Sequence, residues 1–146
     1  MLNQIHYLCI MADVHTKKQR SYNMSQIRSK NTKPEMIVRS WLHKQGYKFR
    51  LHDKKLPGKP DIVLKKYKTV IFVNGCFWHG HKRCKRYVEP KSKKNYWVPK
   101  IDRNRRNQEM QKRKLRYLGW NIITIWECHL EKIKQINIFK KYLAKA

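Results

Sequence analysis

Nine carboxylates stand among 36 lysines and arginines, so each acidic side chain invites the question of which cation it serves. Asp61 is the least ordinary of them. It follows the turn Leu-Pro-Gly-Lys-Pro (56–60) and opens directly onto the apolar run Ile62-Val63-Leu64. A carboxylate at the head of a buried strand is partly desolvated, and in so basic a chain it is a candidate to hold a hard divalent cation against a phosphate. Its plainer role is to accept backbone amides and cap the turn. Glu35 closes Thr32-Lys-Pro-Glu35, a capping box, and its simplest role is partner to Thr32. Glu127 precedes Cys128 and suits a supporting or salt-bridge position, while Asp13, Asp53, Glu89, Asp102, Glu109 and Glu131 sit where solvated residues belong.

The second chemical signal is Cys76-Phe-Trp-His79-Gly-His81-Lys-Arg-Cys84, joined by Cys128 at the end of the last expected strand. Three thiolates and one imidazole close a tetrahedral zinc shell, and such a full shell typifies structural zinc. The gap between Cys76 and Cys84 is longer than the usual knuckle, and either His79 or His81 fits the fourth position. The alternative is that these cysteines are small buried hydrophobes, for which a Lys- and Arg-rich loop offers little cover. A closed zinc shell leaves no site for water, so any catalysis lies elsewhere. If His81 takes the zinc, His79 is left over; beside an aspartate-bound magnesium a neutral imidazole positions and deprotonates an attacking water. Cys9, with neither His nor Cys adjacent to it except as a distant neighbour, reads as an ordinary thiol.

These residues need a scaffold, and the chain is long enough to build one. Its 146 residues suit a single domain with a real core, and 5 Trp, 8 Tyr and 4 Phe exclude a disordered basic tail. A net charge of +27 would repel itself without a polyanion, so nucleic acid is the expected partner. A membrane surface or an acidic protein is the rival, but the basic residues run through the whole chain among aromatics. No apolar run is long enough to span a bilayer. Residues 1–10 lack the features of an export signal and read as an extension, or as an upstream start with Met11 the natural one. A cytoplasmic chain with reduced thiols follows, which favours metal ligation over disulfides.

The capping box starts a helix carrying Ile37, Val38, Trp41 and Leu42, and Gly46 ends it. Strands are expected at Tyr47 to His52, at 62–64, at Val70 to Val73 and at Trp120 to Trp126, the last two buried. A basic helix fills Lys100 to Leu118, a closing helix Glu131 to Leu143, and an arm with a short helix precedes Lys30. The fold class is α/β: a small mixed sheet flanked by helices.

Met-Ala-Asp-Val-His (11–15), Pro-Gly-Lys-Pro-Asp61, Val-Ile-Phe-Val-Asn-Gly-Cys-Phe-Trp-His79, Tyr-Trp97, Lys-Ile-Asp-Arg-Asn104 and Gly-Trp-Asn-Ile-Ile-Thr-Ile-Trp-Glu-Cys128 resemble the very short patch repair (Vsr) endonucleases over residues 11 to about 131. Asn-Gly-Cys-Phe-Trp-His is the most specific run, since no packing rule generates it. The resemblance implies a restriction-endonuclease-like fold with a structural zinc knuckle, as one domain over 11–146. It implies a magnesium-dependent nick in double-stranded DNA on the 5′ side of the T of a T·G mismatch, the product of 5-methylcytosine deamination. By the same resemblance Asp61 is the direct Mg2+ ligand, Val73 gives a backbone carbonyl, Glu35 acts through a metal-bound water, and His79 is the base or water-orienting group. Cys76, His81, Cys84 and Cys128 fall on the Zn2+ positions. Phe77, Trp78 and Trp97 fall on aromatics that wedge into the DNA stack, where a mismatched step is cheaper to open; polar neighbours in the loops favour an exposed placement for all three. The expected partners are mismatched DNA, mismatch-repair proteins and, functionally, a cytosine-5 methyltransferase, for a monomer associated with the nucleoid.

The sequence departs from the family pattern at Asn74, where the best-known member has a His near the scissile phosphate, and at Gln108, where an Asp pairing with the catalytic His is common. A neutral amide at 108 can still orient His79 but stabilises its imidazolium less. Asp102 and Glu109 lie off that helical face and are no simple substitutes. One extra residue also separates His81 from Cys84. Two other functions use the same scaffold: a restriction-type endonuclease, and a zinc-stapled DNA-binding protein with a decayed site. A pure binder has no need of Asp61, Glu35 and His79 together.

Overall fold

The computed structural model describes residues 16, 18, 19, 22, 30–82, 84–90 and 93–130. The expected arm before Lys30 falls largely outside them, and the closing helix from Glu131 falls wholly outside. Helix α1 (Lys33–Lys44) begins as its capping box requires: Thr32 accepts the Glu35 amide, and Glu35 returns to the Thr32 hydroxyl at 3.0 Å. Pro34 lies in the first turn, where its missing N–H costs nothing.

Four strands follow, in spatial order β1 (Arg50–Leu51), β2 (Ile62–Leu64), β3 (Thr69–Asn74) and β4 (Asn121–Trp126). The first three are antiparallel neighbours. β3 and β4 run parallel, so the chain must cross over between them, and helix α2 (Lys94–Tyr117) makes that crossing. The two faces of the sheet separate by side-chain alternation. Ile62, Leu64, Ile71, Ile123 and Ile125 pack against Val38 and Leu42 of α1, while Val63, Val70 and Phe72 pack against Leu115 of α2. The mixed α/β class read from the sequence is therefore correct, with a helix on each face.

Boundaries and burial differ from expectation in places. The first strand shrinks to two exposed residues, because Tyr47 and Phe49 pack beside the α1 core and do not pair. α2 starts six residues before Lys100, and Pro99 sits in its second turn, where it has no N–H to give the helix. β4 is not buried throughout but alternates, with only Ile123 and Ile125 inside, as befits the edge position it holds among the described strands. Two glycines set the loops against α2. At Gly58, with φ +74°, a Cβ would lie 2.8 Å from Gln111 Cβ, and at Gly80, with φ +57°, 2.9 Å from Ile101 Cγ2.

Candidate active site and metal centre

Asp61 sits at the mouth of β2, where Pro60 is buried behind it. Its Oδ2 accepts the Val73 amide at 2.7 Å across the β2–β3 pair. Burial pushes the carboxyl up from 3.8 to about 6, with the charge of Glu35 pushing the same way; the Val73 amide and the Arg39 charge pull against them. A carboxylate kept this short of positive charge is poised to take a cation.

The residues around it come from α1 and from the turn just after β1. Glu35, His52 and Asp61 each offer a donor atom, and these lie within 4.8 Å of one another. Glu35 is 3% exposed and already accepts three hydrogen bonds: from the Asn31 amide at 3.0 Å, the Thr32 hydroxyl at 3.0 Å and Arg39 Nη2 at 2.7 Å. Its capping role is thus real, and it faces Asp61 as well. Sequence reasoning missed both His52 and Arg39. The signal for Arg39 was a charge four residues after Glu35 on the face that carries Val38 and Leu42. For His52 the signal was register: with Leu51 opposite Ile62, residue 52 falls opposite 61.

His79 lies in the loop after β3. Burial, and secondly the charge of Lys112, lowers its pKa to about 4, so the ring is neutral at pH 7. Its buried Nδ1 has no hydrogen-bond partner among the described residues. Gln108 does not orient it. Instead Gln108 and Asn74 exchange two amide hydrogen bonds of 2.8 Å each, so the two departures from the family pattern are partners of one another. Asp102 pairs with Arg105 and Glu109 with Lys112, leaving neither to serve His79.

The four zinc candidates converge. Donor atoms of Cys76, His81, Cys84 and Cys128 lie within 4.8 Å of one another, and His79 is not among them. His81 Nδ1 is 3.6 Å from Cys76 Sγ and 3.4 Å from Cys128 Sγ, so Nδ1 is the nitrogen facing the thiols. The ring stacks on Trp126 at 4.0 Å and 9°. Three unoxidised thiols and an imidazole brought to one point fit a soft, tetrahedral metal. Glu127 supports the cluster: it accepts the Cys76 amide at 3.4 Å and pairs with Arg86 at 3.3 Å.

Phe77, Trp78 and Trp97 cluster edge-to-face, with ring centroids 5.2 to 5.8 Å apart. The exposed placement expected for them is not what is found. Phe77 is 7% exposed and the two tryptophans are half-buried, because the rings cover one another. Lys100 lies over both tryptophans and Tyr96. Beyond them, α2 carries Arg103, Arg105, Arg106, Arg113, Lys114 and Arg116 exposed to solvent.

A desolvated carboxylate beside Glu35 and His52, in a fold that also carries a helix lined with exposed guanidinium groups, suits an enzyme that works on a polyanion. The comparisons with known proteins make the class specific. A family model described as DNA mismatch endonuclease Vsr matches residues 12–86. The type II nicking enzyme V.XorIIP of Xanthomonas oryzae is 48% identical over 84% of this chain and 90% of its own. V.NmeAIP of Neisseria meningitidis is 46% identical over 83% and 86%, and the DNA mismatch endonuclease Vsr of Escherichia coli 42% over 82% and 76%. This chain belongs to the Vsr family of DNA endonucleases. Membership brings DNA as the partner and a divalent metal as the cofactor. Among the described residues, no helix is long and apolar enough to cross a membrane.

Proposed function

We propose that this protein nicks double-stranded DNA 5′ to the T of a T·G mismatch, with Asp61 as the ligand of a catalytic Mg2+ and His79 orienting the water that attacks the phosphate. The observation that carries the reading is Asp61: a carboxylate raised to about 6 by burial, with Glu35 beside it. Bound magnesium would supply Lewis-acid stabilisation of charge developing on the phosphate. Val73 contributes through its main chain. Its N–H points at Asp61, and in a ladder the C=O of the same residue faces the same side. Glu35, with its acceptor capacity largely used, suits contact through an intervening water better than direct ligation.

His79 is better suited to orienting water than to removing its proton, since a base with a pKa of about 4 has little driving force at pH 7. Zinc held by Cys76, His81, Cys84 and Cys128 would fix the loop that carries His79, as the knuckle of a restriction-endonuclease-like fold. Phe77, Trp78 and Trp97 would leave one another for the DNA stack. Their mutual edge-to-face contacts recover part of the cost of exposure until DNA replaces them. In this reading the catalytic domain spans 11–146 with residues 1–10 an extension. The protein works as a cytoplasmic, nucleoid-associated monomer alongside mismatch-repair proteins, correcting the mismatches left when 5-methylcytosines made by a cytosine-5 methyltransferase deaminate.

The test is cleavage of end-labelled duplexes, T·G against T·A, in magnesium. Nicking confined to the T strand of the mismatched duplex, and lost in Asp61→Asn, supports the reading. A matched duplex cut equally fast points to a restriction-type enzyme, and binding without cleavage points to a zinc-stapled binder.

A further inference from the structure

His52 has no part in the reading above, yet it is held more stringently than a strand end requires. Its Nε2 lies 3.0 Å from Arg39 Nη2. A guanidinium has donors only and keeps its charge at any accessible pH, so Nε2 must be the acceptor. The ring is therefore neutral, and its proton sits on Nδ1. That nitrogen faces Asp61, 4.0 Å from Oδ1. Arg39 is itself anchored, with Nη1 on Asn31 Oδ1 and Nη2 on Glu35, both at 2.7 Å.

The main chain is committed too. His52 has φ +46°, a left-handed conformation that a non-glycine residue adopts at a cost, and its amide donates to the Asp61 carbonyl at 3.4 Å. Oδ2 of Asp61 is held by the Val73 amide. Its other oxygen looks towards the His52 Nδ1–H. A separation of 4.0 Å is too long for a hydrogen bond. Rotation of the carboxylate about a soft torsion, or one bridging water, closes it.

We propose that His52 is a positioning residue of the nicking centre: Arg39 fixes its tautomer, and its Nδ1–H sets the free oxygen of Asp61 for the divalent ion. This rests on Asp61 being a metal ligand. With the proton on Nδ1 and Nε2 given to Arg39, the ring has no lone pair to offer a metal and acts only through the aspartate.

The experiment is Mn2+ binding to the full chain, followed by electron paramagnetic resonance, in wild type, His52→Asn, His52→Gln and Asp61→Asn, with thermal melts to confirm folding. An asparagine amide falls near the position of Nδ1, and a glutamine amide near that of Nε2. His52→Gln should weaken Mn2+ binding by about tenfold to a hundredfold, as loss of a ligand's supporting hydrogen bond does. His52→Asn should stay within about threefold of wild type, and Asp61→Asn should lose binding. Wild-type affinity in both His52 variants with loss in Asp61→Asn overturns the role of His52 alone. Equal loss in both His52 variants does the same, as does a nitrogen coupling on the bound Mn2+, which would make the ring a ligand. Undiminished binding by Asp61→Asn removes the metal reading beneath it.

Discussion

Replacing Asp61 by Asn should make the protein more stable at neutral pH while ending its turnover. Folding raises the Asp61 pKa from 3.8 to about 6, so the folded chain holds this proton more tightly than the unfolded chain. The stability associated with the group is complete below about pH 4 and is lost as the pH rises through about 6. At pH 7.5 the ionised carboxylate therefore works against folding. A shift of about two units corresponds to about 3 kcal/mol. The side chain is 22% exposed, so solvent screens part of it. Asparagine keeps an acceptor for the Val73 amide but turns its own N–H group towards the His52 donor, which subtracts more. A net gain of about 1–2 kcal/mol remains, or about 2–4 °C in melting temperature per kcal/mol.

Chemical denaturation at pH 4 and 7.5, without added metal, reads this directly. The two proteins should have nearly equal stability at pH 4, where aspartic acid and asparagine differ little. The variant should gain on wild type as the pH rises. Adding magnesium should then stabilise wild type alone, because a ligand that binds only the folded state raises its apparent stability by mass action. A variant less stable than wild type at pH 7.5, or a difference that does not change with pH, would refute the account of Asp61 as a carboxylate kept short of charge.

Cys84→Ser, or chelation of zinc, should lower stability by several kcal/mol and release one zinc per chain by atomic absorption, whereas His79→Ala should keep both the fold and the zinc and lose nicking. Gln108→Ala should cost about 1–3 kcal/mol by denaturation, because Asn74, 2% exposed, loses its amide partner; the double variant Asn74→Ala/Gln108→Ala should cost less than the sum. Lys112→Met should raise the His79 pKa, followed by NMR, yet leave it below the ordinary histidine value, since burial is the larger cause. Trp78→Ala should weaken binding of T·G duplex by about 1–3 kcal/mol more than matched duplex, and an equal loss on both would place the ring in the core.

The parts legible in the sequence were those fixed by local rules. The capping box told where α1 starts, the turn before Asp61 told which strand it heads, and the wholly apolar run at 70–73 told of a strand covered on both faces. The cysteines marked a candidate metal set, but they did not show which histidine joined it. That depends on how the loop folds back, and only Trp126 stacking on His81 and the position of β4 decide it. Likewise Asn74 and Gln108 read as two separate losses, because 34 residues separate them. Their pairing is a tertiary fact with no local trace. Arg39 and His52 were hidden for the opposite reason: Arg39 fits an ordinary helix face and His52 an ordinary strand end, and only the β1–β2 register and the packing of α1 bring them together beside Asp61.

The amide pair changes what kind of centre this is. An aspartate at 108 would add negative charge beside a histidine and make it a stronger base. Here that place is taken by a neutral side chain that faces Asn74, and the nearest charge acting on His79 is the buried ammonium of Lys112. Desolvation and that positive charge both lower the imidazole's pKa, to about 4, so it is largely unprotonated where Asp61 ionises, about 6. The acid limb of nicking should then report the carboxylate and not the imidazole. If Asp61 holds a divalent ion as proposed, that ion would supply the electrostatic stabilisation, and His79 would need only a lone pair aimed at water.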